Sequence, residues 1–133
     1  MAELISYPDP ESVLTSFITA QLVSGTYAGV KAGTEVPDPR ATEFVRVLLV
    51  GGFRRNLVTD VPRLAVESWG VSKARASGLS ALVDRLILAA ARDGVMGSTT
   101  LNDVNVVSRS QYLPDPETDT HRYTATYELA LRS

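Results

Sequence analysis

The fold is decided by Glu43-Phe-Val-Arg-Val-Leu-Leu-Val50, followed by Gly51-Gly-Phe-Arg-Arg-Asn-Leu-Val-Thr-Asp60 and Val61-Pro-Arg-Leu-Ala-Val-Glu-Ser-Trp-Gly70. The first segment is apolar and β-branched except for Arg46. That composition is typical of a strand covered on both faces, or of a central strand with one face in a subunit contact. The last segment alternates in its middle, which indicates a half-buried strand. Two strands joined by a long loop are therefore the organising unit.

Residues 51–60 form a long basic β-arm between these strands. A pair of glycines opens the arm, and Arg54, Arg55 and Asn56 lie at its tip. Hairpin loops usually have two to five residues, and longer loops are commonly functional. The arginines can bind backbone phosphates, acidic side chains of a neighbouring subunit, or solvent alone. The tip is the best candidate for a polar contact, and we also predict that Arg63 in the following strand belongs to an interface.

Two amphipathic helices flank the strand pair. The first is predicted over about residues 10–23, where Asp9 can cap the helix and proline occupies its first position. The second is predicted over about residues 73–92, with Ser72 as its cap and Gly94 as its stop. Each helix has one apolar stripe, which indicates that it buries one face against the strands.

The rest of the chain adds a second strand pair. Strands are predicted over residues 103–112 and 121–132, and residues 113–120 form the hairpin loop between them. Residues 26–40 are expected to be irregular or weakly extended. The order α-β-β-α-β-β predicts an α+β fold: a mixed four-stranded sheet with two helices packed on one face, in a single domain over residues 1–133.

Composition excludes several classes of protein. The chain has 133 residues, 44% of them hydrophobic and 21% charged, which favours one globular domain over a disordered segment. The net charge of -2 points to no class of partner, and the absence of cysteine excludes a disulfide framework and thiolate metal sites. No export signal is visible, and nowhere do 18 apolar residues follow one another.

The sequence lacks the residue combinations that common catalytic sites require. The only histidine is His121, so neither a Cys/His pair nor a multi-histidine metal site can be assembled within one chain. Gly51-Gly52 lacks the lysine and the following helix of a phosphate-binding loop. We predict no catalytic, metal-binding or cofactor-binding residues and no enzyme activity. Trp69 is interpreted as a core or subunit-interface anchor, because a large ring with one N–H is usually found there.

The sequence resembles the tail terminator proteins of long-tailed, siphovirus-type bacteriophages, especially those of actinobacteriophages. The resemblance lies in the order of the elements and in the general residue pattern, and it covers most of the chain. It includes the N-terminal helix that opens at Tyr7-Pro-Asp-Pro-Glu11. The residues that carry it are Arg46-Val-Leu-Leu-Val-Gly-Gly-Phe-Arg-Arg, Asp60-Val-Pro-Arg-Leu-Ala-Val-Glu-Ser-Trp-Gly70, the helix with Ala74, Ala76, Leu79 and Ala81, and His121-Arg-Tyr-Thr-Ala-Thr-Tyr-Glu-Leu.

This resemblance implies a structural virion protein that forms a hexameric ring, ends polymerisation of the tail tube and joins the tail to the head-neck connector. Its partners would be other copies of itself, the major tail tube protein and a connector or head-closure protein. Genome DNA would pass through the lumen, which Arg54 and Arg55 could line. The predicted location is the tail-to-neck junction of the virion, after assembly in the host cytoplasm. Interface residues would be Arg54, Arg55, Asn56, Arg63 and Trp69.

Three other functions compete with this expectation. A head-closure or neck adaptor protein would use the same kind of small ring-forming domain, and the order of elements barely separates the two. A non-catalytic nucleic-acid-binding module is a more distant alternative, since it needs a coherent basic face that a pI near 5.3 does not favour. A small-molecule enzyme comes last, because no pair of convergent titratable groups is visible.

Overall fold

The computed structural model describes residues 4–133, which form two helices and six strands. The elements are α1 (Pro10–Gln21), β1 (Ala32–Gly33), β2 (Phe44–Arg54), β3 (Thr59–Gly70), α2 (Lys73–Asp93), β4 (Val95–Met96), β5 (Thr99–Tyr112) and β6 (His121–Arg132).

All six strands belong to one sheet with the spatial order β1-β2-β3-β6-β5-β4. The four long strands pair antiparallel, whereas β1 pairs parallel to β2, so the sheet is mixed. The predicted four-stranded sheet and its α-β-β-α-β-β order are therefore wrong. The observed order is α-β-β-β-α-β-β-β.

The two strands that the sequence analysis missed are each two residues long. A two-residue strand has no alternation of its own, so periodicity cannot reveal it. The strand β1 lies within the connection expected to be irregular or weakly extended, and the backbone N–H of Val45 in β2 donates to the Lys31 carbonyl beside it. The strand β4 follows α2 directly and pairs with the first two residues of β5. Each short strand covers part of an otherwise open sheet edge.

The long arm predicted over residues 51–60 is mostly paired strand. The strand β2 continues through both glycines to Arg54, and β3 begins at Thr59, so only residues 55–58 form the turn. We call residues 55–58 the hairpin tip. One extra residue between Leu49 and Gly51 makes a β-bulge, and both glycines adopt positive φ angles there. The glycines thus bend the ladder without ending it, because a bulge inserts a residue while pairing continues on both sides.

The predicted helix caps are confirmed. The Asp9 carboxylate accepts hydrogen bonds from the backbone N–H groups of Glu11 and Ser12, at 3.1 and 3.4 Å. The Ser72 hydroxyl accepts from the Arg75 N–H in the same way at the start of α2, and a left-handed Gly94 ends that helix. These groups satisfy N–H and C=O groups that a helix end leaves without partners.

Both helices pack on one face of the sheet, and the main core lies between them and the strands. The strand β6 runs through the middle of the sheet, paired with β3 on one side and β5 on the other. Strand side chains on the helix face alternate with side chains on the open face, as a pleated sheet requires. Buried members of this core include Leu14, Ile18, Val45, Val47, Leu64, Val66, Leu79, Val83, Ile87, Ala125, Tyr127 and Leu129.

Irregular pairing curls the far side of the sheet. Three register shifts interrupt the pairing of β5 with β6, between Leu101 and Val104, between Val106 and Ser108, and between Ser108 and Gln111. Bulges increase local twist and bend the strand that carries them. They also make a poor template for another chain, because an edge protected by bulges cannot pair regularly.

Candidate subunit interface

The arginines of the hairpin have acidic partners within the same chain. Arg54 lies 2.9 Å from the Asp60 carboxylate across the hairpin, and Arg55 lies 3.3 Å from the carboxylate of Asp103 in β5. Asn56 turns inward, and its side-chain oxygen accepts a hydrogen bond from the Val58 N–H at 3.0 Å. The charge that suggested a basic arm is therefore balanced locally, and the exposed pairs are the kind that contribute little to stability.

The apolar side chains of the hairpin are the ones that face solvent. Leu57 is 77% exposed, and Leu49, Val50 and Phe53 are each about half exposed. Sequence reasoning classified the arm by its arginines and overlooked these residues. The signal was present, since Phe53, Leu57 and Val58 are apolar in a segment that was expected to be a polar loop. Contiguous exposed apolar side chains on a small domain mark an interaction surface.

The segment before α1 is tied to the same tip. The Tyr7 hydroxyl donates to the Leu57 carbonyl at 2.6 Å, and the Arg54 guanidinium lies 3.9 Å from the centre of the Tyr7 ring. A cation stacked on an aromatic face is a favourable contact. Together these contacts hold the tip in place and leave an open groove of about 440 Å³ between Tyr7, Pro8 and the end of β2.

Arg63 is not part of the tip. Its guanidinium donates two hydrogen bonds to the Glu128 carboxylate on β6, the shorter at 2.9 Å. The Asn105 amide donates to the other oxygen of Glu128. The hydrogen bond from Asn105, and then that from Arg63, hold the pKa of Glu128 below its usual range. Arg63 thus links β3 to β6 on the open face of the sheet.

Trp69 lies at the far end of β3 and is almost fully buried, at 1% exposure. Its ring stacks on Phe44 of β2 with centroids 4.4 Å apart and an interplanar angle of 16°. Guanidinium groups of Arg40, Arg46 and Arg122 lie 5.5 to 5.9 Å from its ring centre. This arrangement forms a second, smaller core on the open face of the sheet.

A buried carboxylate holds two of these arginines in place. Glu67 lies beside Trp69 on β3, and its carboxylate is 2.6 Å from Arg46 of β2 and 3.1 Å from Arg122 of β6. It therefore connects the three central strands of the sheet. A buried carboxylate needs such partners, because leaving it unpaired costs far more than an exposed charge.

Three buried polar groups in this region lack a hydrogen-bond partner within residues 4–133: the Trp69 indole N–H and the hydroxyls of Ser68 and Thr124. The Trp69 Nε1 atom has no hydrogen-bond acceptor within the described part of the chain. Buried polar groups without a partner are rare and call for an explanation. A concave site of about 470 Å³, which we call the Trp69 pocket, adjoins the ring; its lining includes Ala41, Thr42, Trp69, Gly70, Val71 and His121.

The five predicted interface residues do not form one site. Arg54, Arg55 and Asn56 lie at or beside the hairpin tip, Arg63 lies along β3, and Trp69 lies at its opposite end. Trp69 lies ten positions after Thr59, a span of about 33 Å in an extended strand. The molecule therefore offers two separate surfaces of different chemistry rather than one continuous patch.

Several other ionisable side chains make structural contacts. The His121 ring lies 3.0 Å from the Tyr112 hydroxyl, and the Tyr127 hydroxyl donates to Asp84 at 2.6 Å. Burial, and then the hydrogen bond to Asp84, raise the pKa of Tyr127 above its usual range. Within residues 4–133, no group of three or more His, Asp or Glu side chains could hold a metal ion. Neither helix in that range combines the length and apolar character needed to cross a membrane.

Comparison with solved structures identifies a similar fold. The chain matches one in the structure of the virion of a native gene transfer agent particle, with a TM-score of 0.63. The match covers 92% of this chain and 94% of that chain, at 16% sequence identity. No protein-family model matches the sequence, and no curated protein matches it. At such low identity the structural match establishes a shared fold alone. Function has to be argued separately, from the surfaces of the molecule.

Proposed function

We propose that the protein is a structural subunit of a virion rather than an enzyme. The observation that supports this most strongly is the fold shared, over nearly the full length of both chains, with a subunit found in the virion of a gene transfer agent particle. The surfaces agree with such a role, because exposed apolar side chains at the hairpin and an open pocket beside Trp69 are typical of parts that bind other proteins.

Within this class, we propose a tail terminator: a ring of about six copies that ends the tail tube and meets the head-neck connector. A ring requires two unlike patches on each subunit that meet head to tail. The apolar hairpin tip and the Trp69 pocket are unlike patches at opposite ends of β3. The major tail tube protein and a connector protein would bind the two flat faces of the ring, at the tail-to-neck junction.

The passage of genome DNA through the ring is a further part of this proposal. Arg54 and Arg55 have carboxylate partners in the free subunit, so the hairpin offers little uncompensated positive charge to phosphates. Smooth passage of DNA requires weak contacts without sequence preference, and balanced charge suits that requirement. The same balance gives no support to the alternative of a nucleic-acid-binding module, which needs a coherent basic face.

The proposal is tested by the mass and the activity of the purified protein. Light scattering over a concentration series, with negative-stain images, should show closed rings of about six subunits. Added to polymerising tail tube protein, the rings should cap the tubes and stop their growth. Rings that ignore tubes but bind the connector would favour the head-closure or neck adaptor role. Binding to neither partner, with or without ring formation, would contradict a role at this junction.

A further inference from the structure

The Trp69 pocket and the hairpin tip have the properties of two halves of one contact. The pocket is apolar along Ala41, Val71 and the Trp69 ring, and its volume of about 470 Å³ is within the range of sites that enclose a ligand-sized group. The tip presents Leu57 at 77% exposure at the end of a narrow two-stranded hairpin. A projecting leucine and an apolar recess are complementary in shape and in polarity.

We propose that the hairpin tip of one copy inserts into the Trp69 pocket of the next copy. The occupant is thus a second copy of this chain, and the contact is head to tail. It deepens the proposed function, on which it rests, because it identifies the contact between neighbouring subunits of the ring. The two halves lie at opposite ends of β3, so each copy can donate its tip and receive another at the same time.

The unpartnered Trp69 N–H supports an occupant of this pocket. Its Nε1 atom is buried without an acceptor, although a buried donor costs free energy unless it is paired. The Leu57 and Val58 carbonyls of the tip already accept hydrogen bonds from Tyr7 and Ser133, which leaves the carbonyls of Arg55 and Asn56 as the acceptors the tip can offer. Insertion of residues 55–58 would bring these acceptors to the ring while burying Leu57. The free subunit therefore has a donor for which the tip supplies the missing acceptor.

Charge also favours this pairing. The pocket lining contains one carboxylate, Asp119, and one guanidinium, Arg40, which lies 3.9 Å from the Asp115 carboxylate. Arg55 is the only charged residue of the tip, and its bond to Asp103 is an exposed one of 3.3 Å that can exchange at little cost. Because Arg40 has Asp115 as its partner, Asp119 is the lining carboxylate that Arg55 can meet when Leu57 enters the pocket. Such complementarity fixes orientation more than it adds affinity.

Disulfide trapping tests the contact directly, because the chain has no cysteine of its own. Equal amounts of two variants, Leu57→Cys and Val71→Cys, are mixed at high concentration and oxidised. We expect the mixed disulfide at several times the yield of a control mixture of Leu57→Cys with Val95→Cys. Val95 is a partly exposed residue of β4 that lies outside the pocket. A mixed yield no higher than the control would overturn the contact, whatever the state of assembly.

The single tryptophan provides a second readout. In a dilution series, association should change the emission of Trp69, and Leu57→Asp should shift the midpoint to about 10- to 100-fold higher concentration. Val23→Asp is the matched control, since Val23 is 74% exposed and outside both surfaces. Rings that form normally with Leu57→Asp but no longer cap tubes would overturn this inference and leave the proposed function standing. Loss of rings with unchanged capping of tubes would support this inference and overturn the proposed function, because capping would then not need a ring.

Discussion

The two ends of the β2–β3 hairpin show opposite chemistry. At the Trp69 end, two aromatic rings are stacked and buried, and the Glu67 carboxylate holds two arginines. At the tip, the charged residues form exposed pairs and apolar side chains face solvent. The comparison shows that one end is stabilised by buried rings and buried ion pairs, whereas the other end keeps its charged pairs and apolar side chains in solvent. Substitutions at the two ends should therefore have different consequences.

The largest effect on stability is expected from Trp69→Ala. The substitution removes a fully buried ring and leaves Phe44 without its stacking partner, so the free energy of unfolding should fall by about 3 to 5 kcal/mol. Urea unfolding followed by circular dichroism measures it. Leu57→Ala at the tip is the control. Equal losses for the two variants would contradict the contrast between a buried, stabilising end and a solvent-exposed tip.

A smaller loss is expected from Glu67→Gln. The neutral amide weakens both hydrogen-bonded ion pairs and leaves the partly buried Arg46 and Arg122 undercompensated, at a cost of about 2 to 3 kcal/mol. The matched change at the tip is Asp103→Asn, which removes the exposed pair with Arg55 and should cost less than about 0.5 kcal/mol. Thermal or urea unfolding of both variants compares a buried pair with an exposed one in a single protein.

Gly52→Ala tests the backbone between the two ends. A Cβ atom at this position would lie 2.3 Å from the Val61 carbonyl oxygen, at a φ of +127° that alanine rarely adopts. We expect a loss of about 1 to 3 kcal/mol and a displaced hairpin tip. Gly51→Ala has a similar backbone strain but no neighbour within 4 Å, so it should cost less. Unfolding free energies of both variants, with chemical shifts of the tip, decide the question; equal costs would refute the steric argument.

Glu43, next to the Trp69 end, should make the free energy of unfolding depend on pH in the acid range. The hydrogen bond from Arg75 is the main reason why the pKa of Glu43 is held below its usual range in the folded protein. The resulting stabilisation is present above the pKa of the unfolded chain and is lost as pH falls through the lower folded pKa. Glu43→Gln should therefore cost about 1 kcal/mol at pH 7 and progressively less as pH falls through the folded pKa of Glu43. A cost independent of pH would show that the ion pair is not its cause.

The smallest effect on stability is expected from Leu57→Asp. The side chain already lies in solvent, so the free energy of unfolding should change by less than about 0.5 kcal/mol. Its association with other copies should change instead, as argued above. Calorimetry of dilute protein tests the stability half of this statement. A large loss of stability would mean that Leu57 contributes to the fold of the single subunit.

Sequence patterns predicted what depends on local chemistry. Helix ends were predicted from the capping side chains of Asp9 and Ser72 and from Gly94, which has no side chain. Alternation predicted the last strand over residues 121–132. The predicted number of strands was wrong because β1 and β4 form only through pairing with neighbouring strands, which local sequence does not show. A glycine pair was expected to end β2, whereas pairing with β3 carries the strand past it.

The interface could be predicted only in part. Arg54, Arg55 and Trp69 attract attention by residue type, but type does not reveal which charges find a partner after folding. Asp103, the partner of Arg55, is 48 residues away in sequence. The exposure of Leu57 and the missing acceptor at Trp69 follow from tertiary packing. Such features become visible only when distant segments are placed side by side.

The central position of β6 also determines when the domain can fold. Its register with β3 joins Thr59 to Arg132 and Gly70 to His121, so contacts in the middle of the sheet span 51 to 73 residues of chain. During synthesis at roughly 5 to 20 residues per second, β3 waits several seconds with one edge bare. Folding dominated by such non-local pairing is slow. The apolar hairpin that we propose for assembly is therefore also exposed to misassembly before β6 arrives.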